Sequence, residues 1–225
     1  KKVDDNRILT TNGEIAFDHL INAAGGYADK IAHEFDIAKH LTLIPFKGLY
    51  KKVVPKIASK IKHHIYPVPD IEQPFLGIHT TLTSDNFLKL GPTAIPVFSP
   101  ENYQLFQKLD LQLTPEIISL QISLLMGNTF KFRDLAIREF KYLFKKNIID
   151  SAQNLTAIEL NKKEYNWYSP GIRAQLYDTE LQTLENDIVI ERKNSSFHLL
   201  NSISPAWTCS FKTAKYILGQ ITRLI

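Results

Sequence analysis

Residues 17–35 constrain the fold most. An apolar run ending in Asn22-Ala23-Ala24 meets the pair Gly25-Gly26, and Ala28, Ile31, Ala32 and Phe35 then follow at helical spacing. A buried strand, a glycine turn and a helix make an α/β unit. Glycines at such a turn let a phosphate or a ring approach the backbone, and a helix N-terminus favours negative charge. Tight packing explains a single Gly-Gly pair as well. Upstream, 7–10 and the run from Ile15 flank Asn12-Gly13, whose tolerance of positive φ suits a hairpin turn. The sequence therefore reads as starting within a sheet.

From 41 to 90 the pattern turns to strands. They fall at 43–54 with Gly48 inside, at 65–66, at 75–81, and at 87–90 ending in Gly91-Pro92, and together they predict a mixed sheet. The stretch 64–81 carries chemistry as well as structure. Pro67, Pro69 and Pro74 have no N–H to give a ladder and hold the connection open, while His64, Tyr66 and His79 place two imidazoles and a phenol on or beside paired strands. A structural histidine on an ordinary hairpin is the plainer reading of either imidazole.

Helices follow. Ser99-Pro100-Glu101 and Thr114-Pro115-Glu116 each offer a capping hydroxyl, a proline at the first helical position and an early acid. Ile117, Leu120, Leu124 and Leu125 predict an apolar stripe ended by Gly127-Asn128, and a third helix over 133–146 is expected to turn Ile137, Phe140 and Phe144 to the core. Strands return at 171–176, 188–191 and 196–200. Ser204-Pro205 then opens a closing helix whose Trp207, Phe211, Ala214, Leu218 and Ile221 are expected to face inward. The whole reads as a mixed α/β (α+β) protein in which 1–40 and 166–225 form one domain and 41–165 an inserted one.

Composition narrows the function classes. One cysteine, Cys209, rules out an internal disulfide; no cationic, apolar leader opens the sequence, and no apolar run reaches the ~20 residues of a membrane span. A cytoplasmic protein with no transmembrane segment is the resulting expectation. Net charge is +4. Lys51, Lys52, Lys56, Lys60 and Lys62 cluster, but without interleaved aromatics or a recognised motif they give no case for nucleic acid.

Several blocks occur in a telling order: 22–29 (NAAGGYAD), 45–50 (PFKGLY), 65–70 (IYPVPD) with 74–79 (PFLGIH), 91–94 (GPTA), 170–175 (PGIRAQ) and 201–208 (NSISPAWT). In these the chain resembles the L-2-hydroxyglutarate oxidase/dehydrogenase family, FAD-dependent oxidoreductases related to D-amino-acid and glycine oxidases. The resemblance spans nearly the whole chain. It implies that 1–40 and 166–225 belong to an FAD-binding domain, that 41–165 binds substrate, and that a 2-hydroxy acid is oxidised by hydride transfer to flavin. A Gly-x-Gly-x-x-Gly turn for the pyrophosphate is absent. The expectation is a C-terminal portion, inactive and unable to hold FAD alone, with a separate N-terminal FAD-binding chain as a possible partner.

The resemblance also assigns roles. Arg173 stands where the wider family holds the substrate carboxylate, a task its planar fork suits. His79 is the candidate base, because a neutral imidazole titrates near working pH, and His64 is the alternative. Tyr66 is counted with these catalytic candidates, Tyr66 and Tyr50 are candidates for binding the distal carboxylate or the hydroxyl of a dicarboxylate substrate, and Lys47 is a further candidate for binding it. Gly25, Gly26, Gly171 and the turn Ser204-Pro205-Ala206-Trp207-Thr208 are candidates for the flavin. Where the family reads Pro-Phe-Arg-Gly-Glu-Tyr and Gly-Pro-Asn-Ala, this chain has Lys47, Leu49 and Thr93. Such departures leave open a non-catalytic remnant or interaction module of the same fold that binds no flavin.

Overall fold

The computed structural model describes residues 1–68, 75, 77–85, 87–104, 108–160, 165–203 and 206–222. The strands are β1 (Lys2–Asp4), β2 (Arg7–Thr10), β3 (Gly13–Ala16), β4 (Leu20–Asn22), β5 (Leu41–Val53), β6 (His79–Leu82), β7 (Leu88–Gly91), β8 (Ile95–Pro96), β9 (Tyr165–Asp178), β10 (Thr183–Leu184), β11 (Val189–Lys193) and β12 (Ser196–Asn201). The helices are α1 (Ala28–Glu34), α2 (Pro55–Ala58), α3 (Leu113–Gly127), α4 (Phe132–Phe140), α5 (Lys145–Gln153) and α6 (Ser210–Thr222). The chain divides into two compact units, a two-segment unit of Lys1–Ile44 with Ala174–Ile225 and a central unit of Pro45–Arg173. The divisions fall inside β5 and β9.

In the central unit the strand order is β9-β5-β7-β6, with β8 added to β5. Every pairing of described register in it is antiparallel: Lys51 lies opposite Leu90, Val53 opposite Leu88, Thr80 opposite Leu90 and His79 opposite Gly91. Side chains alternate across a sheet, so Val53, Leu88 and Leu90 share one face. There they pack with Ile57, Ile61, Ile78, Ile148 and Ile149 into a closed apolar core, each side chain contributing ~1.5–3 kcal/mol through burial. The same alternation puts Tyr50, Lys52, Lys89, Gly91 and His79 on the opposite face. Ile65 and Thr80 close the hairpin through a single bridge, each N–H donating to the other's carbonyl.

The helical part departs from expectation at three points. No helix begins at Ser99, whose hydroxyl donates to the Lys108 carbonyl. Ahead of α3, Asp110 Oδ1 accepts from the N–H groups of Gln112 and Leu113, and Thr114, expected as the capping hydroxyl, lies within the first turn. The helix expected over 133–146 breaks at Phe144, which is extended, and Ile137, Phe140 and Phe144 are 68%, 61% and 63% exposed. Phe132, Leu135 and Glu139 are the buried side of α4. Both sets have helical spacing, and tertiary packing chose the second.

In the two-segment unit, β1-β2-β3 form an antiparallel meander, with Gly13 at φ +107° in the tight turn. A second sheet, β11-β12-β4, joins β12 to β4 in parallel, Ser196 opposite Leu20 and His198 opposite Asn22. The run 17–24 is not a buried strand throughout, since only β4 pairs and Ile21 is half exposed. Ala28, Ala32, Leu41, Leu43, Leu176 and Leu200 form this unit's main core. In α6 the buried residue is Ile217, packed with Phe197, while Trp207, Phe211 and Leu218, expected inside, are 90%, 85% and 52% exposed. Neighbouring helical positions point about 100° apart, so seating Ile217 turns Leu218 outward. Ser204 and Pro205 lie outside the described residues, as does the side chain of Ile221. Among the described residues no helix is long and apolar enough to cross a membrane.

Candidate active site

The face of the central sheet away from its core brings several of the singled-out residues together. Gly91 on β7 has φ +138°, and a Cβ there would come within 2.9 Å of Tyr50 Cδ1 and 2.5 Å of the Leu49 carbonyl oxygen. The Tyr50 ring therefore lies directly on bare backbone. On its other flank, a Cβ at Gly171 would stand 4.0 Å from Tyr50 Cε2. The Lys89 ammonium is 4.8 Å from the Tyr50 ring centroid and 5.5 Å from that of Tyr168, and burial raises the Tyr50 phenol above its ordinary pKa.

His79, opposite Gly91, is the next side chain along this face. Its ring centroid lies 4.7 Å from that of Tyr66, and Tyr66 in turn is parallel to His64 at 6.3 Å. Nδ1 of His79 is 3.0 Å from the Gly77 carbonyl oxygen. A carbonyl only accepts, so Nδ1 carries the proton and Nε2 keeps its lone pair. Burial lowers the pKa of His79, with the Gly77 bond acting in the opposite sense and His64 and Lys89 adding to the depression. The imidazole is thus neutral at physiological pH, the form a base requires.

Arg173 on β9 joins the same hairpin through Phe75, its guanidinium carbon 5.1 Å from that ring, and Phe75 packs at 4.7 Å on the buried Phe46. Lys47 is not brought to this face. It is 7% exposed, its ammonium donates to the Asn102 carbonyl at 3.1 Å, and burial lowers its pKa. The lysine cluster also divides: Lys51 is buried against the Trp167 ring and Lys52 lies 3.9 Å from the Phe87 ring centroid.

In the two-segment unit, Gly25 sits at φ +58° in the turn before α1, and a Cβ there would meet nothing within 4 Å. Asn22 braces this turn, donating to the Ala28 carbonyl at 2.7 Å and to His198 Nδ1 at 3.0 Å while accepting from the Ala24 N–H. Negative charge at the start of α1 is already supplied by Asp29, buried and accepting from the Leu43 N–H. The Gly25 backbone is thus open to close approach, while the buried Asp29 carboxylate opposes a diphosphate at the start of α1. Ala206 is half-buried, and Trp207 and Thr208 are exposed. Among the described residues no group of His, Cys, Asp or Glu could hold a metal ion.

Reading the sequence did not single out Lys89, Phe75 or Glu139 for the site. Lys89 had a signal, being the polar member of the alternating Leu88-Lys89-Leu90 just before Gly91.

Residues 1–217 match the family described as FAD dependent oxidoreductase. The L-2-hydroxyglutarate dehydrogenase of Indibacter alkaliphilus is 30% identical over 205 residues, which cover 90% of this chain and 50% of that protein. The human mitochondrial L-2-hydroxyglutarate dehydrogenase is 28% identical over 219 residues, 95% of this chain and 47% of that one. The chain thus spans about half the length of the curated relatives it matches. Among solved structures, L-alpha-glycerophosphate oxidase from Mycoplasma pneumoniae aligns over 92% of this chain and 44% of its own at 19% identity, with a TM-score of 0.49. Glycine oxidase from Bacillus cereus aligns over 87% of this chain and 41% of its own at 14% identity, with a TM-score of 0.46.

Proposed function

This chain belongs to the FAD dependent oxidoreductase family, and from that premise we propose that it forms the substrate-binding and flavin-capping half of an enzyme that oxidises a 2-hydroxy acid of the 2-hydroxyglutarate type. The names of its relatives support the substrate class. The observation that carries the chemistry is the tautomer of His79: Nδ1 is held by the Gly77 carbonyl, leaving a neutral Nε2 lone pair beside Tyr66 on the Tyr50 face.

Oxidation removes a proton from the hydroxyl and a hydride from the carbon that bears it, leaving a carbonyl. FAD, when bound, accepts the hydride. His79 Nε2 takes the hydroxyl proton, Arg173 holds the carboxylate next to the reacting carbon, and Tyr50, Tyr66 and the Lys89 ammonium set the far end of the substrate. His64, exposed and parallel to Tyr66, is the alternative base. The central unit is the substrate-binding domain in this reading, and within the two-segment unit Gly25 and Gly26 are the backbone offered to the flavin ring. The diphosphate site comes from a polypeptide with the Gly-x-Gly-x-x-Gly turn, either continuous with this chain or separate from it. A non-catalytic module of the same fold is the second reading. It draws on Lys47, which is tied to Asn102 where the family pattern has arginine.

The test is to co-express the chain with a polypeptide that carries the Gly-x-Gly-x-x-Gly turn, sought first in the genome next to it. The proposal expects a yellow complex whose flavin is bleached by L-2-hydroxyglutarate in the absence of oxygen. A folded, colourless complex that oxidises no 2-hydroxy acid would establish the second reading instead.

A further inference from the structure

Glu139 is the one acid on the buried side of α4, 8% exposed among Phe132 and Leu135. Its Oε2 accepts from the Ala94 N–H at 2.7 Å, a charge-assisted bond to backbone. Ala94 ends the sequence Gly91-Pro92-Thr93-Ala94, and each residue before it touches β5. The Thr93 hydroxyl donates to the Lys47 carbonyl at 3.0 Å and accepts from the Leu49 N–H at 2.9 Å. Pro92 Cβ would stand 2.8 Å from a Cβ on Gly48, and Gly91 underlies Tyr50. Glu139 and Ala94 also line a cavity of about 220 Å³ whose walls include Pro67 and Gly77 of the hairpin that carries Tyr66 and His79.

We propose that Glu139 is a positioning residue: its carboxylate anchors the 91–94 turn, and through Thr93 and Gly91 that turn fixes where the Tyr50 ring stands. Helix α4 thereby contributes to the geometry of the site without touching substrate. The chain of contacts is continuous, from Glu139 to Ala94, Thr93, the β5 backbone on both sides of Gly48, and Tyr50. Burial raises the pKa of Glu139, while the Ala94 bond, Arg138 and Lys141 favour the charged form. The consequence for substrate rests on the function proposed above; the positioning of Tyr50 does not.

Fluorotyrosine labelling gives a signal for Tyr50, assigned by Tyr50→Phe, and the Ala94 amide is followed in the same samples. Glu139→Met removes the acceptor at similar volume and is expected to shift both signals, whereas Glu139→Gln keeps an acceptor oxygen and is expected to restore Tyr50. In wild type the two signals should share one titration step, and in Glu139→Gln that shared step should be absent from both, leaving Tyr50 only the steps of its own phenol and of His79 and Lys89 on its face. A folded Glu139→Met with Tyr50 unmoved would overturn the proposal. If that variant does not fold, a wild-type Tyr50 signal that stays still while Ala94 titrates would overturn it as well. In the flavin-bound assembly, Glu139→Met should raise KM for 2-hydroxyglutarate about tenfold with a smaller change in kcat, and Glu139→Gln should recover most of it. Coupled signals in an assembly that oxidises no 2-hydroxy acid would uphold the positioning and refute the function.

Discussion

The two units bury their apolar residues very differently. The central unit packs, among those described, a twelve-residue buried cluster that includes Val53, Leu88, Leu90, Ile148 and Ile149, each at most 1% exposed, and buries Phe46, Leu124 and Phe132 besides. Among its described residues the two-segment unit has only the smaller cluster at α1 and the Phe197–Ile217 pair; both units leave apolar side chains exposed, Phe211 and Trp207 at 85% and 90% here and Ile137 and Phe144 at 68% and 63% on the helices of the central unit. Its β12–β4 pair is parallel, an arrangement ordinarily covered on both faces. Chemistry follows the same division. Tyr50, His79 and Lys89 stand on a face whose other side is solid core, so the backbone beneath them is rigidly placed.

The largest expected effect lies in the central core. Leu88→Ala should cost about 2–5 kcal/mol in urea unfolding, and a loss below 1 kcal/mol would break the contrast between the units.

Next comes His198 in the two-segment unit. Fully buried, it accepts from Asn22 at Nδ1, so its proton sits on Nε2, and burial pushes its pKa down to about 4. The unfolded chain binds the proton more readily, so stability rises with pH. The contribution is complete above the ordinary value of 6.5 and disappears as pH falls toward 4, a change of about 3 kcal/mol. Unfolding midpoints for wild type and His198→Phe across that window check this, since the variant should lose the slope.

Thr93→Val removes one hydroxyl that serves two β5 backbone groups and should cost about 1–3 kcal/mol, with the Leu49 amide signal displaced. Phe211→Ser should stay within about 0.5 kcal/mol of wild type despite the size of the side chain lost. A large loss there would mean that the α6 stripe is covered in the chain as it exists in solution.

How much of this was legible in sequence depended on which signal each residue carried. The Asn12-Gly13 and Gly25-Gly26 turns were read from backbone chemistry that few other residues can supply, Gly13 and Gly25 both having positive φ, and the strand containing Gly48 was read from its apolar pattern. The helical faces were not. Ile137-Phe140-Phe144 and Phe132-Leu135-Glu139 are both helically spaced, and Trp207-Phe211-Leu218 competes with Ile217 in the same way. Spacing fixes the period of a helix, while the surface it meets fixes the phase. At the candidate site, His64, Tyr66 and His79 lie close in sequence and gather as a row. Lys47 was singled out by its neighbours in a motif, yet its alternation along β5 places it on the opposite face from Tyr50. Glu139 carried no signal, because its role depends on a turn more than forty residues away.

The central claim is that this sheet face binds and deprotonates a 2-hydroxy acid. The anaerobic rate of flavin reduction by L-2-hydroxyglutarate, measured against pH for wild type, His79→Gln and Arg173→Lys in the co-expressed assembly, tests it most directly. Wild type should show an acid limb below the ordinary histidine value of 6.5, because His79 is depressed by burial. His79→Gln should abolish that limb, and Arg173→Lys should slow reduction at least about tenfold. Rates and pH profiles unchanged in both variants would contradict the account.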